Sequence, residues 1–162
     1  MSGARKLLIG GGIVLTMVGM LYGLHYAVFV EHQTLDEIGG SLATAFVNAA
    51  DGNMSDARAG VAAYGAVKYV YVRQVDLHSH WIGLAMLMVV LGVVFDNLAF
   101  SERARFWIAV VLLAGSVVFP LGVILQTASH GAAFASALAI AGSALVIAGM
   151  VAVALGFARQ RV

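Results

Sequence analysis

The sequence predicts an all-α integral membrane protein: a four-helix up-down bundle with both termini cytoplasmic and a helical outer loop between the first two spans. Three observations predict it. Apolar residues make up 62% of the 162 positions and charged residues only 10%, whereas a soluble domain sits near half apolar and a quarter charged. Mean hydropathy is +0.96. Four segments reach the roughly 20 apolar residues that a bilayer crossing requires, and Lys and Arg are biased to one set of their ends. The length fits one domain, here a single membrane domain over 1–162.

The spans fall at about 7–30, 77–100, 106–126 and 131–158. The second and third are joined by a very short connection, as are the third and fourth, which makes them antiparallel neighbours. Arg5 and Lys6 precede the first span, Arg103 and Arg105 separate the second from the third, and Arg159 and Arg161 follow the fourth. With four spans, all six stand on one side. Both termini are therefore expected in the cytoplasm and the protein in a bacterial inner membrane. The first segment begins like a signal, with Ala4-Arg5-Lys6 before an apolar run. It is too long and has no small-x-small cleavage site, so an uncleaved anchor is expected.

The outer loop, about 31–76, is long for a connection with no structure of its own. Thr34-Leu35-Asp36-Glu37 fits a capping box, in which Thr34 caps and Glu37 reaches back. Leu35, Ile38, Leu42, Ala45 and Phe46 then recur at helical spacing. Asp51-Gly52-Asn53 is a turn signal. Val61, Tyr64, Val67 and Tyr71 form a second helical stripe that leads into the second span. An amphipathic helical hairpin results, its apolar face resting on the bundle, on lipid or on a partner subunit.

Small residues let helices approach in lipid. Gly19 and Gly23 form one such pair, and Gly142, Gly149 and Gly156 repeat every seventh residue of the fourth span. Tight packing is the expected use of this stripe, room for a flat macrocycle the alternative. Gly10-Gly11-Gly12 lies inside a span and lacks the strand and helix of a nucleotide loop. Pro120 should bend the third span and free a carbonyl near Ser116. Asp96 is expected to pair with Arg103 or Arg105. The methionines are scattered through apolar helices and read as packing.

The net charge of +1 provides no field for nucleic acid. With no cysteine, disulfides, thiolate metal sites, iron–sulfur clusters and covalent haem attachment are excluded within the chain. Histidines remain. His25, His32, His78, His80 and His130 all map near or beyond span ends facing away from the cytoplasm. Histidine is the commonest metal ligand, and ionisable groups at membrane depth point to function. His78 and His80 are two residues apart, about 200° around a helix, so they cannot face one site. The antiparallel spans bring His25, His80 and His130 to similar depth on three helices. Bundles build cofactor sites from such facing side chains. Two opposed imidazoles suit a haem b, with His25, His80, His130 and His78 as candidate ligands and Arg73 or Arg58 for the propionates. Three imidazoles, His25, His80 and His130, suit copper or zinc. His32 and His78 also fit interfacial positions, His130 fits the end of a helix, and Trp81 with the loop tyrosines fits an aromatic belt.

Residues 73–84, Arg73-Gln74-Val75-Asp76-Leu77-His78-Ser79-His80-Trp81-Ile82-Gly83-Leu84, resemble the outer start of a ligand-bearing helix in the haem–copper oxidase superfamily. That resemblance implies that His78 or His80 ligates a haem. The chain departs from the family in having four spans and no copper-site His pair or cross-linked Tyr motif, so oxygen reduction is not implied. The remaining likeness is to small four-helix membrane haem b proteins.

The expected function is thus a cytochrome b-like electron-transfer subunit, passing electrons between membrane quinone and an outer-side protein partner. It would be a subunit of a redox complex rather than an enzyme acting alone. A copper- or zinc-binding membrane subunit, or a non-catalytic structural subunit of a larger membrane complex, are the alternatives.

Overall fold

A computed structural model describes residues 1–129 and 131–159. Among them are five α-helices: α1 (Gly3–Phe29), α2 (Glu31–Ala50), α3 (Met54–Val94), α4 (Glu102–Ala128) and α5 (Ala133–Ala158), with one 3-10 turn, Phe95–Asn97, after α3. There is no strand among the described residues. The helices α1, α3, α4 and α5 are each long and apolar enough to cross a membrane, so the chain is an integral, all-α membrane protein. Contacts divide it into two units, residues 1–20 with the chain from Leu77 onward, and residues 21–76.

In the first unit, directions alternate. Arg5, near the start of α1, pairs with Asp96 just beyond α3 at 3.5 Å. Arg105, near the start of α4, donates to the Asp96 carbonyl at 2.6 Å. The Ala99 N–H donates to the carbonyl of Gly156, near the end of α5, at 3.2 Å. The starts of α1 and α4 therefore share one end with the finishes of α3 and α5. Arg5, Lys6, Arg103, Arg105 and Arg159 all belong to that end, as the charge bias predicts; Arg161 lies outside the described residues. The acceptor for Arg5 corrects the expected pairing. The Asp96 carboxylate takes the Arg5 guanidinium and the Ser2 hydroxyl, while Arg105 reaches only the backbone.

Between the helices the chain has removed side chains where backbones meet. A Cβ on Gly12 would lie 2.8 Å from the Ala85 carbonyl oxygen, and one on Gly92 would lie 3.1 Å from the Ile9 nitrogen, so α1 and α3 touch at both levels. Along the α4–α5 seam a Cβ on Gly115 would meet the Gly142 oxygen at 2.8 Å, and one on Gly142 would meet the Phe119 Cα at 2.6 Å. The seven-residue glycine stripe of α5 serves tight packing. Pro120 lies in the interior of α4 and is buried, where it removes the N–H that the Ser116 carbonyl would otherwise accept. Leu8, Met88, Phe95 and Leu112 fill the core beside the basic end.

The second unit is a helical hairpin preceded by the end of α1. Gly52 supplies the left-handed backbone of its turn, φ 77°, at no steric cost. Buried and half-buried positions recur on α2 as Thr34, Ile38, Ser41, Ala45 and Asn48, and on α3 as Ala57, Gly60, Tyr64, Val67 and Tyr71. Steps of three and four are the spacing of a coiled-coil seam. At its narrowest point a Cβ on Gly60 would stand 3.0 Å from the Ala45 Cα. The stripe of α3 runs unbroken into the apolar span, as its periodicity predicts. The capping box does not form. The helix α2 starts at Glu31, only one residue after α1, so Thr34 already lies inside it. The Thr34 hydroxyl donates back to the Val30 carbonyl at 3.0 Å, the local bond that competes with capping.

Candidate functional site

Four of the five histidines can be placed; His130 lies outside the described residues. In the hairpin unit, His25 is exposed on the last turns of α1, and its ring lies 5.4 Å from that of Phe29, tilted by 37°. His32 is exposed on the first turn of α2, with Nε2 3.5 Å from Asp36. Separated by four residues, these two form a solvated surface pair.

In the other unit, α3 carries His78 and His80 on different sides, as their spacing requires. His78 is half-buried, and its Nδ1 is 3.2 Å from the Gly19 carbonyl oxygen of α1. A carbonyl can only accept, so Nδ1 carries a proton in this contact, and whenever the ring is neutral its lone pair lies on Nε2. The bond fixes both tautomer and ring orientation, as a backbone carbonyl does behind many metal-bound imidazoles. It forms at Gly19 because the absent side chain there lets α3 approach; a Cβ would lie 2.8 Å from Ile82 Cδ1. His80 is exposed and packs edge-on to Phe119 of α4 at 5.4 Å. It borders a shallow trough of about 310 Å³ with Ser79, Gly83, Leu84 and Leu87.

Arg73 lies with its guanidinium 5.4 Å from the Tyr69 ring centre, and Lys68 stands similarly over Tyr64. Both cations line an open trough of about 420 Å³ with Gly65, Val72 and Asp76. Its positive rim can receive an anionic group by charge-assisted hydrogen bonds. Arg58 instead borders an apolar groove near the hairpin turn.

Among the described residues no three His, Asp or Glu side chains gather as metal ligands would. His78 and His80 share one helix and face apart, so neither can complete the other's axial pair. The imidazole of His78, which the sequence places at the interface, is oriented by a backbone carbonyl. The Gly19-x-x-x-Gly23 pair was the available signal, since a close approach there exposes a carbonyl to the facing helix. No protein-family model, curated protein or solved structure matches this chain.

Proposed function

We propose that the chain is a non-catalytic structural subunit of a larger membrane complex, set in a bacterial inner membrane with both termini cytoplasmic. One observation carries this reading. The hairpin helix α2, which is not among the candidate spans, leaves Phe46 72% and Val47 61% exposed. Large apolar side chains grouped outside a membrane span mark an interaction surface. The test is purification in mild detergent, followed by mass measurement, an absorption spectrum and metal analysis. A stable assembly larger than one chain, without haem bands or stoichiometric metal, is the expected result. A single chain free of any partner would sink the reading.

The second reading is a haem b electron-transfer subunit working between quinone and an outer-side protein. It is favoured by the His78 ring, held by the Gly19 carbonyl with Nε2 left as the lone-pair nitrogen. In this reading His78 supplies one axial imidazole, and the opposite ligand comes from a helix other than α3. The haem would supply the one-electron chemistry, while the protein sets its position and environment. Reduced-minus-oxidised haem bands that vanish in His78→Ala support it. Copper or zinc bound to the protein is detected in the same metal analysis.

A further inference from the structure

Beside its own seam the hairpin carries a second stripe, exposed except at the half-buried Leu42. On α2 it comprises Leu35, Leu42, Phe46 and Ala49; on α3 it comprises Met54, Arg58, Val61, Lys68 and Val72. These positions again follow steps of three, four or seven, about a quarter turn around each helix from the seam. Both stripes lie on the same side of the hairpin, because Leu42, Phe46 and Ala49 share one apolar groove with Met54, Arg58 and Val61. Two adjacent helices, each with a heptad-spaced face, form half of a four-helix bundle.

We propose that this face docks on the same face of a second copy of the chain, giving a two-fold four-helix bundle of two hairpins. The inference rests on the subunit reading and names its partner. Copies with one orientation in one bilayer are related by a two-fold axis along the membrane normal, and such an interface is self-complementary. That symmetry sets α2 of one copy against α3 of the other, at matching heights.

Charge then agrees with the pairing. The first half of α2 holds Glu31, Asp36 and Glu37 without Lys or Arg, while the facing stretch of α3 holds Lys68 and Arg73. Glu31 and Arg73 stand almost equally far along their helices from the Ala45–Gly60 contact, as do Asp36 and Lys68. Opposite charges thus meet between copies at these two levels. The scale is also adequate. Two helices about 30 Å long and 8–10 Å apart present a face of roughly 600 Å², close to the roughly 800 Å² per partner of a stable interface.

The absence of cysteine makes the test clean. Phe46→Cys and Val61→Cys report on the face, and Thr44→Cys on the exposed opposite side of α2. Each full-length variant is treated with a short bismaleimide in native membranes. Crosslinking to a second copy, several-fold stronger at Phe46 and Val61 than at Thr44, is expected. Asp36→Lys should reduce it several-fold, and adding Lys68→Glu should restore it. Equal crosslinking at all three positions, crosslinking only to a different protein, or none with a monomeric mass would each overturn the proposal. A different protein captured at Phe46 would overturn the second copy while leaving the subunit reading intact; a chain with no partner would sink both.

Discussion

The α4–α5 seam and the α2–α3 seam solve one packing problem with different chemistry. In α4–α5, backbone meets backbone through Gly115, Gly122 and Gly142, and a Cβ on Gly122 would lie 2.7 Å from the Ala139 Cα. In α2–α3 a single glycine, Gly60, makes the close approach, and Thr34, Ser41, Asn48 and Tyr64 occupy the other levels. Lipid tails are as apolar as leucine, so helices within a bilayer gain little by hiding apolar side chains from it. They associate through close van der Waals contact, which demands small residues at every level. A hairpin set outside the apolar core would keep the hydrophobic drive, tolerate polar seam residues, and leave its larger apolar side chains for another surface.

The comparison breaks first at Gly142. Gly142→Leu would drive a side chain into the Phe119 backbone, which cannot rotate away. We expect a loss of about 3 kcal/mol or more, seen as a collapse of folded yield and thermal midpoint in detergent. A near-normal midpoint would show that the seam is looser than its geometry. Gly60→Leu should cost less, about 2 kcal/mol, because only one level of the hairpin is tight. Its effect should appear as easier proteolysis between 31 and 76, with α4–α5 intact. An equal loss from both substitutions would erase the distinction between the seams.

Gly40→Ala should move in the opposite direction. Gly40 is exposed within α2, and a Cβ there meets nothing within 4 Å. Replacing a helical glycine that no contact requires stabilises by up to about 1 kcal/mol. A raised hairpin melting midpoint would confirm that contact, rather than helix propensity, explains the glycine at position 60. A lowered one would show that Gly40 has a neighbour outside this chain.

The sequence exposes these features unevenly, for physical reasons. Gly142, Gly149 and Gly156 announce a seam because an apolar helix has few other reasons for glycine every seventh residue. Their counterparts Gly115 and Gly122 follow the same spacing, but two positions make no visible stripe. In the hairpin, Leu35, Ile38, Leu42, Ala45 and Phe46 read as one apolar face. The fold splits them: Ile38 and Ala45 enter the seam, while Leu35 and Phe46 stay exposed. Apolar periodicity cannot see a seam whose other members are Thr34, Ser41 and Asn48. The spacing of His78 and His80 showed that they face apart. It could not show that a carbonyl on α1 would orient His78, because that depends on which helix arrives and where it lacks a side chain.

The smallest expected effect lies at the basic end, where Asp96 joins α1 to the end of α3. Asp96→Asn keeps an oxygen to accept the Ser2 hydroxyl but removes the charge facing Arg5. Both side chains of that ion pair are about one-third accessible, 33% and 30%, so water and salt weaken it. The thermal midpoint in detergent should fall less than for Gly60→Leu, and the gap from the unmodified protein should narrow as salt rises. Ser2→Ala, which removes the hydroxyl donor and leaves the charges, should show a gap that salt hardly alters. If salt closes both gaps alike, the end is held by its summed charge rather than by these two contacts. The distinction matters for topology, since a summed positive charge would still favour the cytoplasmic side with every individual pair broken.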